Sequence, residues 1–306
     1  MKKFIRKIIM RVKFYKIYYI NIFNSVLNND IKFNELFYLS SKTLRYRYSN
    51  DLNPFLQYIQ VLNMLQQDRG IKKGLEIGGG YSTILLTKLV FDNNCQITSI
   101  DINPNKYKDI LPSKKHRVRL FESVEIVEDL TISYNTMLDF YKNTLKEYIS
   151  EYNIKELQDS ILGFVNDYDG GYISLNKEDP ISYLFQDEKL NLFNNVLTKK
   201  VLKREKAFYS KFDKVENKGF VDKILENNIE YDFIFFDSGE LSSLVEWVLL
   251  ENQIKIGGYA ILHDIYFPKS IKNFLVASFI NISKNWEIVY KDLSTTQGML
   301  VAKRVR

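Results

Sequence analysis

Short apolar runs alternate with stretches of helical hydrophobic spacing in two parts of the chain. Leu75–Ile77 and Gln96–Ile100 have the pattern of buried strands, and a helix is predicted to begin near Ser82 between them. Tyr231–Phe236 is another apolar run, and Leu241–Ile254 carries apolar residues close to a helical stripe. Strands that alternate with helices predict a parallel sheet, so we expect an α/β fold.

Glycines and an acid follow the first two predicted strands. Gly78, Gly79 and Gly80 permit positive φ and let a ligand lie against bare backbone at the start of the next helix. Asp101, after the second strand, is placed to accept hydrogen bonds from a ribose diol. The dinucleotide fingerprint needs a third glycine where this chain has Thr83, so the turn indicates a different nucleotide ligand.

These positions resemble the first motif of class I S-adenosylmethionine (SAM) methyltransferases, E/D-x-G-x-G, through Glu76, Gly78 and Gly80. The blocks Tyr231–Asp237 and Gly257–Asp264 resemble the fourth- and fifth-strand motifs of small-molecule and sugar O-methyltransferases. The alternative is a generic Rossmann-like turn without SAM specificity. The implied cofactor-binding residues are Glu76, Gly78, Gly79, Gly80, Tyr81, Ser82, Asp101, Ile102, Asp129 and Asp237.

The resemblance implies a Rossmann-like class I methyltransferase sheet of order 3-2-1-4-5-7-6. Trp286–Tyr290 and Gly298–Ala302 are the expected antiparallel pair at its end. The third strand has two candidates: 124–127, followed by Asp129, and 207–212, followed by Asp213. An acid after this strand often contacts the adenine in the superfamily, and the sequence does not decide between Asp129 and Asp213.

Three regions are predicted. Residues 1–50 form a basic helical extension, 51–130 and 207–306 form the SAM-binding domain, and 131–206 form a helical insertion that is either a lid or a structural or dimerisation element. Within the insertion, Asp167–Gly171 resembles the start of a calcium loop but lacks the required residues at its fifth and sixth positions. A Gly-Gly turn is the favoured interpretation.

Candidate catalytic residues follow the fourth and fifth strands, because ligands of open parallel sheets bind at the strands' carboxyl ends. They are Asp237, Glu240 and His263, with His263 either the base for an acceptor hydroxyl or a residue that orients Asp237. Asp237 and Asp264 would suit Mg²⁺, but Ile265 follows Asp264, so a third ligand must come from His263 or Glu240. Related sugar O-methyltransferases read D-G-x-H, whereas this chain reads Asp237-Ser238-Gly239-Glu240.

The net charge of +6 is concentrated in the extension. Residues 1–50 hold eleven Lys and Arg against Asp30 and Glu35, giving +9 and leaving −3 for the rest. This distribution argues against a nucleic-acid groove on the body. The alternation of basic and large apolar residues in 1–23 predicts a helix. This helix lies either on a membrane surface or against the body or a second subunit of a homo-oligomer. A single Cys95 and no long apolar run predict a cytoplasmic protein, membrane-peripheral if residues 1–23 bind lipid.

The leading functional hypothesis is SAM-dependent, in-line O-methylation of a small molecule or of a sugar of a bacterial surface glycan. One alternative is an aminopropyltransferase on the same fold, although such chains usually have Asp where this one has Tyr81. Another is a non-catalytic SAM-fold module that binds partner proteins. The N/D-P-P-Y/F signature of amino methyltransferases is lacking in the sequence.

Overall fold

A computed structural model describes residues 20–30, 32, 54–103, 105–164, 196–211, 219–266, 270–293 and 297–306. The chain divides into two compact units. The first unit comprises Met1–Lys73 and Gly79–Glu128, and the second comprises Gly74–Gly78 and Asp129–Arg306.

The described residues form a seven-stranded sheet with the order β3-β2-β1-β4-β5-β7-β6. The pairs β2–β3, β1–β4 and β4–β5 are parallel, and β7 runs antiparallel to both β5 and β6. This confirms the predicted order and the predicted antiparallel end. The strands are β1 Lys73–Ile77, β2 Gln96–Ile100, β3 Glu125–Val127, β4 Tyr231–Phe236, β5 Ile254–His263, β6 Trp286–Asp292 and β7 Met299–Arg304.

Helices connect the strands and precede β1. A π-helical turn at Phe140–Thr144 joins α6 to α7, and a 3₁₀ turn at Glu251–Gln253 leads into β5. The α-helices of the described residues are α1 20–28, α2 Pro54–Gln67, α3 Tyr81–Asn93, α4 Lys106–Ile110, α5 Lys114–Ser123, α6 Tyr134–Asp139, α7 Leu145–Ser150, α8 Ile154–Leu162, α9 Val196–Tyr209, α10 Phe220–Glu226, α11 Ser242–Leu250 and α12 Phe274–Ile282.

Helix α1 is part of the first unit's core. The Phe23 ring stacks on Tyr81 at the start of α3, with centroids 5.5 Å apart, and Asn29 Oδ1 accepts a hydrogen bond from the Lys88 ammonium. Burial of apolar side chains stabilises such a helix far more than its intrinsic propensity does. The buried apolar residues of α1 are Ile22, Phe23, Val26 and Leu27.

The second unit is built on β4, whose side chains from Phe233 to Phe236 are all buried. A continuous apolar run is typical of a parallel strand covered on both faces. Gly74 on β1 leaves room for the Phe233 ring, because an added Cβ would lie 2.1 Å from its Cζ. Helices α8 and α12 pack together beside this sheet, where the Ser160 hydroxyl donates to the Ser278 carbonyl at 2.9 Å.

Two predictions of local structure are corrected. The strand candidate at 207–212 is wrong, because its residues through Tyr209 belong to α9, whose apolar spacing is helical. The third strand, β3, lies within the other candidate, 124–127. Gly257 and Gly258 do not precede the fifth strand but lie inside β5, near a shift in its register against β4. Gly257 has φ +85°, a value that glycine adopts without strain.

Other predictions concern residues outside those described or remain untested. The calcium-loop candidate at 167–171, Asp213, and residues 1–19 of the basic extension lie outside the described residues. The described helices offer none with both the length and the apolar character needed to cross a membrane.

Candidate functional site

The glycine turn of the first unit is crowded at Gly79 and open at Gly80. A Cβ added to Gly79 would lie 2.4 Å from the Tyr107 hydroxyl and 2.7 Å from that of Ser99, so a larger residue does not fit. A Cβ added to Gly80 would meet no described atom within 4 Å. The turn therefore presents bare backbone on one side and is held by packing on the other.

Thr83 holds this turn from the position where a dinucleotide site has its third glycine. Its Oγ1 accepts a hydrogen bond from the Gly80 N–H at 2.8 Å and lies 2.9 Å from the Tyr107 hydroxyl. The hydroxyl thus satisfies a backbone donor at the start of α3 that the helix itself cannot satisfy. The departure from the dinucleotide pattern has a structural role.

Asp101 is buried directly after β2 and is joined to the glycine turn by Lys106. Its Oδ1 accepts the Asn103 N–H at 2.7 Å, and its Oδ2 pairs with the Lys106 ammonium. The same ammonium donates to the Gly79 carbonyl. A carboxylate offers about four acceptor positions, so Asp101 retains capacity for a ribose diol beside these two partners.

In the second unit, Gly78 lies against the residue that follows β4. Its φ is +86°, and an added Cβ would come 2.1 Å from the Asp237 carbonyl oxygen. The Asp237 N–H donates to the Ile77 carbonyl at 2.9 Å. Glycine is therefore required here both by conformation and by the close approach of two backbones.

Asp237, His263, Asp264 and Lys272 form a compact cluster at the ends of β4 and β5. His263 Nδ1 lies 3.4 Å from Asp237 Oδ1 and 3.6 Å from Asp264 Oδ1. The Lys272 ammonium contacts Asp237 Oδ1 and lies 3.3 Å from Asp264 Oδ2. All four side chains are largely buried, with at most 17% of any exposed, so water screens their charges weakly.

The charges of this cluster shift one another's pKa values. Burial raises the pKa of Asp237, but Lys272 and His263 outweigh it and hold that pKa well below its usual value. Burial lowers the pKa of Lys272, yet Asp237 and Asp264 raise it above its usual value. Burial likewise lowers the pKa of His263, and the same two carboxylates more than offset this, so the pKa is raised.

Backbone geometry fixes the cluster in place. Asp264 has φ +61°, an unusual conformation for a non-glycine residue that often marks a functional site. The fully buried Asn273 side chain donates to the carbonyls of Phe236 at 3.0 Å and His263 at 2.6 Å. The ends of β4 and β5 are thus tied together just before the residues that carry the acids.

Glu240 lies outside this cluster and organises the loop that carries Lys272. Its Oε2 accepts the Ser270 hydroxyl at 2.8 Å and the Ile271 N–H at 2.9 Å. Its Oε1 lies 3.0 Å from Arg204 Nη2 of α9, and its own N–H donates to Glu205 of the same helix at 3.0 Å. Glu240 therefore links the insertion helix, the loop after β4 and the loop after β5.

The other predicted residues have varied surroundings. Asp129 follows β3 and pairs with Lys223 at 2.8 Å in the second unit. Glu76 is fully buried within β1, Ser82 is buried in the first turn of α3, and Ile102 is partly buried after β2. Tyr81 is half-exposed and stacks on Phe23.

Sequence reasoning missed both lysines of these groups. Lys106 and Lys272 lie in segments without hydrophobic periodicity, where a lysine is most simply interpreted as solvent-exposed. For Lys106, its position five residues after Asp101 was an available signal. Nothing in the sequence around Lys272 indicates that its side chain contacts Asp237 after β4 and Asp264 after β5.

The cluster does not fit the predicted Mg²⁺ site. Asp237, His263 and Asp264 each place a ligand atom within 4.8 Å of the others, as a metal centre requires. However, Lys272 bridges both carboxylates, and an ammonium can donate but cannot act as a ligand. Glu240, the proposed additional ligand, is engaged by Ser270 and Ile271 instead.

No protein-family model and no curated protein sequence matches the chain. Among solved structures, it is similar to an O-methyltransferase from Bacillus cereus in complex with SAH, with 14% identity, a TM-score of 0.42 and coverage of 93% of this chain and 90% of that one. The O-methyltransferase TomG from Streptomyces achromogenes, in complex with SAM, has 10% identity, a TM-score of 0.38 and coverage of 81% and 79%. An SAH-bound methyltransferase from Podospora anserina has 11% identity, a TM-score of 0.37 and coverage of 87% and 86%.

Similarities this remote add nothing to the assignment, which rests on the strand order of the sheet. That order, with its antiparallel β7 between β5 and β6, is the one implied by the sequence motifs. The chain has the Rossmann-like fold of the class I SAM-dependent methyltransferases.

Proposed function

We propose that this protein is a SAM-dependent O-methyltransferase that acts on a small molecule or on a sugar of a bacterial surface glycan. The observation that carries the proposal is the buried group at the ends of β4 and β5, in which a histidine faces two carboxylates. A histidine beside carboxylates is suited to remove the proton of a hydroxyl, which O-methylation requires.

The first unit has residues suited to holding SAM. Gly80 offers open backbone at the start of α3, Gly79 is fixed by packing, and Asp101 keeps acceptor capacity for ribose hydroxyls. When bound, SAM supplies an electrophilic methyl group on a sulfonium. The turn and Asp101 bind and orient, while Thr83 and Lys106 keep the turn in shape.

In the proposed reaction His263 accepts the proton of the acceptor hydroxyl. Asp237 and Asp264 face its Nδ1, so the imidazolium formed by proton uptake is stabilised by both carboxylates. Their effect on the pKa of His263 makes it a stronger base, at the cost of being protonated over a wider range of pH. Methyl transfer in line with the attacking oxygen then needs only correct positioning.

We also propose that the insertion covers the acceptor. Helix α9 contacts the loop after β4 through Arg204 and Glu205, both of which reach Glu240. Contacts of this kind favour a lid that closes over a strand-end site rather than an element remote from it. The alternative, a role in dimerisation, would leave turnover unchanged when the Arg204–Glu240 pair is removed by Arg204→Ala.

Activity as a function of pH tests the role of His263. Turnover of labelled SAM with an extract or purified acceptor should rise as the pH passes the raised pKa of His263, because only neutral imidazole accepts a proton. Asp237→Asn removes the largest influence that raises this pKa, so the rising limb should move to lower pH and the maximal rate should fall. Asp232→Asn is the matched control, since Asp232 lies near the start of the same strand and forms an ion pair with Lys255 at 2.8 Å.

A product assay separates the proposal from its rivals. Methylated acceptor formed from SAM supports it, whereas aminopropyl transfer from decarboxylated SAM would assign the other activity. If calorimetry shows no SAM binding by the wild-type protein, and the same result for Asp101→Asn, the non-catalytic alternative is favoured.

A further inference from the structure

Lys272 occupies the position between the two acids where a metal ion would have to bind. Its ammonium contacts Asp237 and lies 3.3 Å from Asp264 Oδ2. These carboxylates, with His263, are the group whose ligand atoms come within 4.8 Å of one another. We propose that Lys272 is a built-in cation that replaces a divalent metal ion in this cluster, so that the protein works without metal.

The charges of the cluster favour a lysine over a divalent ion. Asp237 and Asp264 bring two negative charges into a largely buried place, where Lys272 lies against both carboxylates and supplies one positive charge. A divalent ion added beside the ammonium would bring like charges within a few ångströms in weakly screened surroundings. The lysine therefore opposes metal binding and does so permanently, since it is covalently part of the chain.

The loop after β5 is built to place this lysine at the cluster. Ser270 Oγ accepts the Lys272 backbone N–H at 3.1 Å, while Ser270 and Ile271 are both held by Glu240. The next residue, Asn273, is fixed to the ends of β4 and β5. A side chain anchored on both sides of its backbone is positioned rather than incidental.

Lys272 has a positioning role: it keeps the two carboxylates in place beside His263 without itself accepting a proton. Catalysis without metal rests on the proposed methyltransferase function, whereas the exclusion of a divalent ion from the cluster does not. Binding of Mn²⁺ can therefore test it without SAM or acceptor. Failure of the methyltransferase function would be seen separately, as no methylated product from the wild-type protein.

Electron paramagnetic resonance of Mn²⁺ titrated into the full chain provides the test. We expect no stoichiometric site in the wild-type protein and a new site in Lys272→Ala, with affinity higher on the order of 100-fold because one repelling charge is gone. Adding Asp264→Asn to that variant should remove the site. Lys255→Ala, which breaks an exposed ion pair with Asp232, is the control and should behave like the wild type.

Each remaining outcome decides the matter. A wild-type site for Mn²⁺ that is lost in Asp264→Asn overturns the proposal, as does a folded Lys272→Ala with unchanged affinity. Where Lys272→Ala unfolds without metal, its thermal unfolding is followed with Mn²⁺ present. Recovery of folding by Mn²⁺ supports the proposal, and a variant that stays unfolded contradicts it.

Discussion

Asn273 holds His263 by its backbone: the asparagine amide donates to the His263 carbonyl at 2.6 Å. Its second amide hydrogen bond, to the Phe236 carbonyl at 3.0 Å, joins the neighbouring strand. One buried side chain thus sets the spacing of two strand ends. An acid at this position would turn two attractive contacts into repulsion between oxygens.

Asn273→Asp should therefore destabilise the protein by about 3 kcal/mol, since it buries a charge against two carbonyls with almost no change in size. Urea unfolding measures the effect. Asn285→Asp, just after α12, is the matched control, because the Asn285 side chain is exposed and the substitution should change stability by no more than about 0.5 kcal/mol. Equal effects of the two substitutions would show that the amide of Asn273 is not needed.

Two glycines of one turn should respond differently to alanine. Gly78→Ala should cost about 2 kcal/mol of folding stability, because its positive φ and the Asp237 carbonyl leave no place for Cβ. Gly80→Ala should leave stability unchanged, since its Cβ points into open space and its φ of 169° suits any residue. Its effect should appear as weaker SAM binding in calorimetry; unchanged affinity would show that the ligand does not lie against Gly80.

Thr83→Val replaces the hydroxyl that accepts the Gly80 N–H with a methyl group of similar size. We expect a loss of about 1 to 2 kcal/mol in stability, because the Gly80 N–H loses its acceptor and the Tyr107 hydroxyl loses one hydrogen bond. SAM affinity should fall with it. Thr83→Ser keeps the hydroxyl and should retain the affinity; a serine variant as impaired as valine would assign the effect to packing.

Glu246 should make the protein less stable as the pH rises through the range from 4.5 to 6. Burial raises its pKa from 4.5 to about 6, although Ser238 and Thr131 donate to its carboxylate and lower it. The folded state therefore binds this proton more tightly than the unfolded state does, and the stabilisation by protonation is lost as the pH rises. The full loss is about 2 kcal/mol above pH 6.

Glu246→Gln should remove this component of the pH dependence. Unfolding free energies of the wild-type and variant proteins, compared at pH 4.5 and pH 7, should diverge in favour of the variant at the higher pH. A constant difference between the two proteins would mean that the carboxyl group titrates alike in the folded and unfolded states.

The middle of the sheet could be predicted from sequence because β1 and β4 are buried along most of their length. Runs such as Tyr231–Phe236, each closed by glycine or acid, have the form that parallel strands require, and β2 and β4 begin and end where the apolar pattern does. The third strand was ambiguous, since β3 is short and only partly buried. The segment 207–212, which begins within α9, was an equally good strand candidate. Only the pairing of β3 with β2 in the structure decides between the two.

The strand-end acids and His263 were also predictable, since ligands of such sheets bind at the carboxyl ends. Lys272 was not, because its role depends on how a loop without periodicity folds back. The same holds for the contacts of Glu240 with Ser270 and Ile271, which its place in the sequence does not indicate. Local patterns reveal buried elements, whereas the pairing of distant charges requires the tertiary structure.

The stacking of Phe23 on Tyr81 bears on where the chain can be shortened. A protein trimmed at residue 51 to remove the basic segment would also lose the buried side chains of Ile22, Phe23, Val26 and Leu27. It would also expose the face of α3 on which Phe23 stacks. Weak expression or aggregation of such a protein would therefore not report on the role of residues 1–19. Trimming to residue 20 separates the two questions.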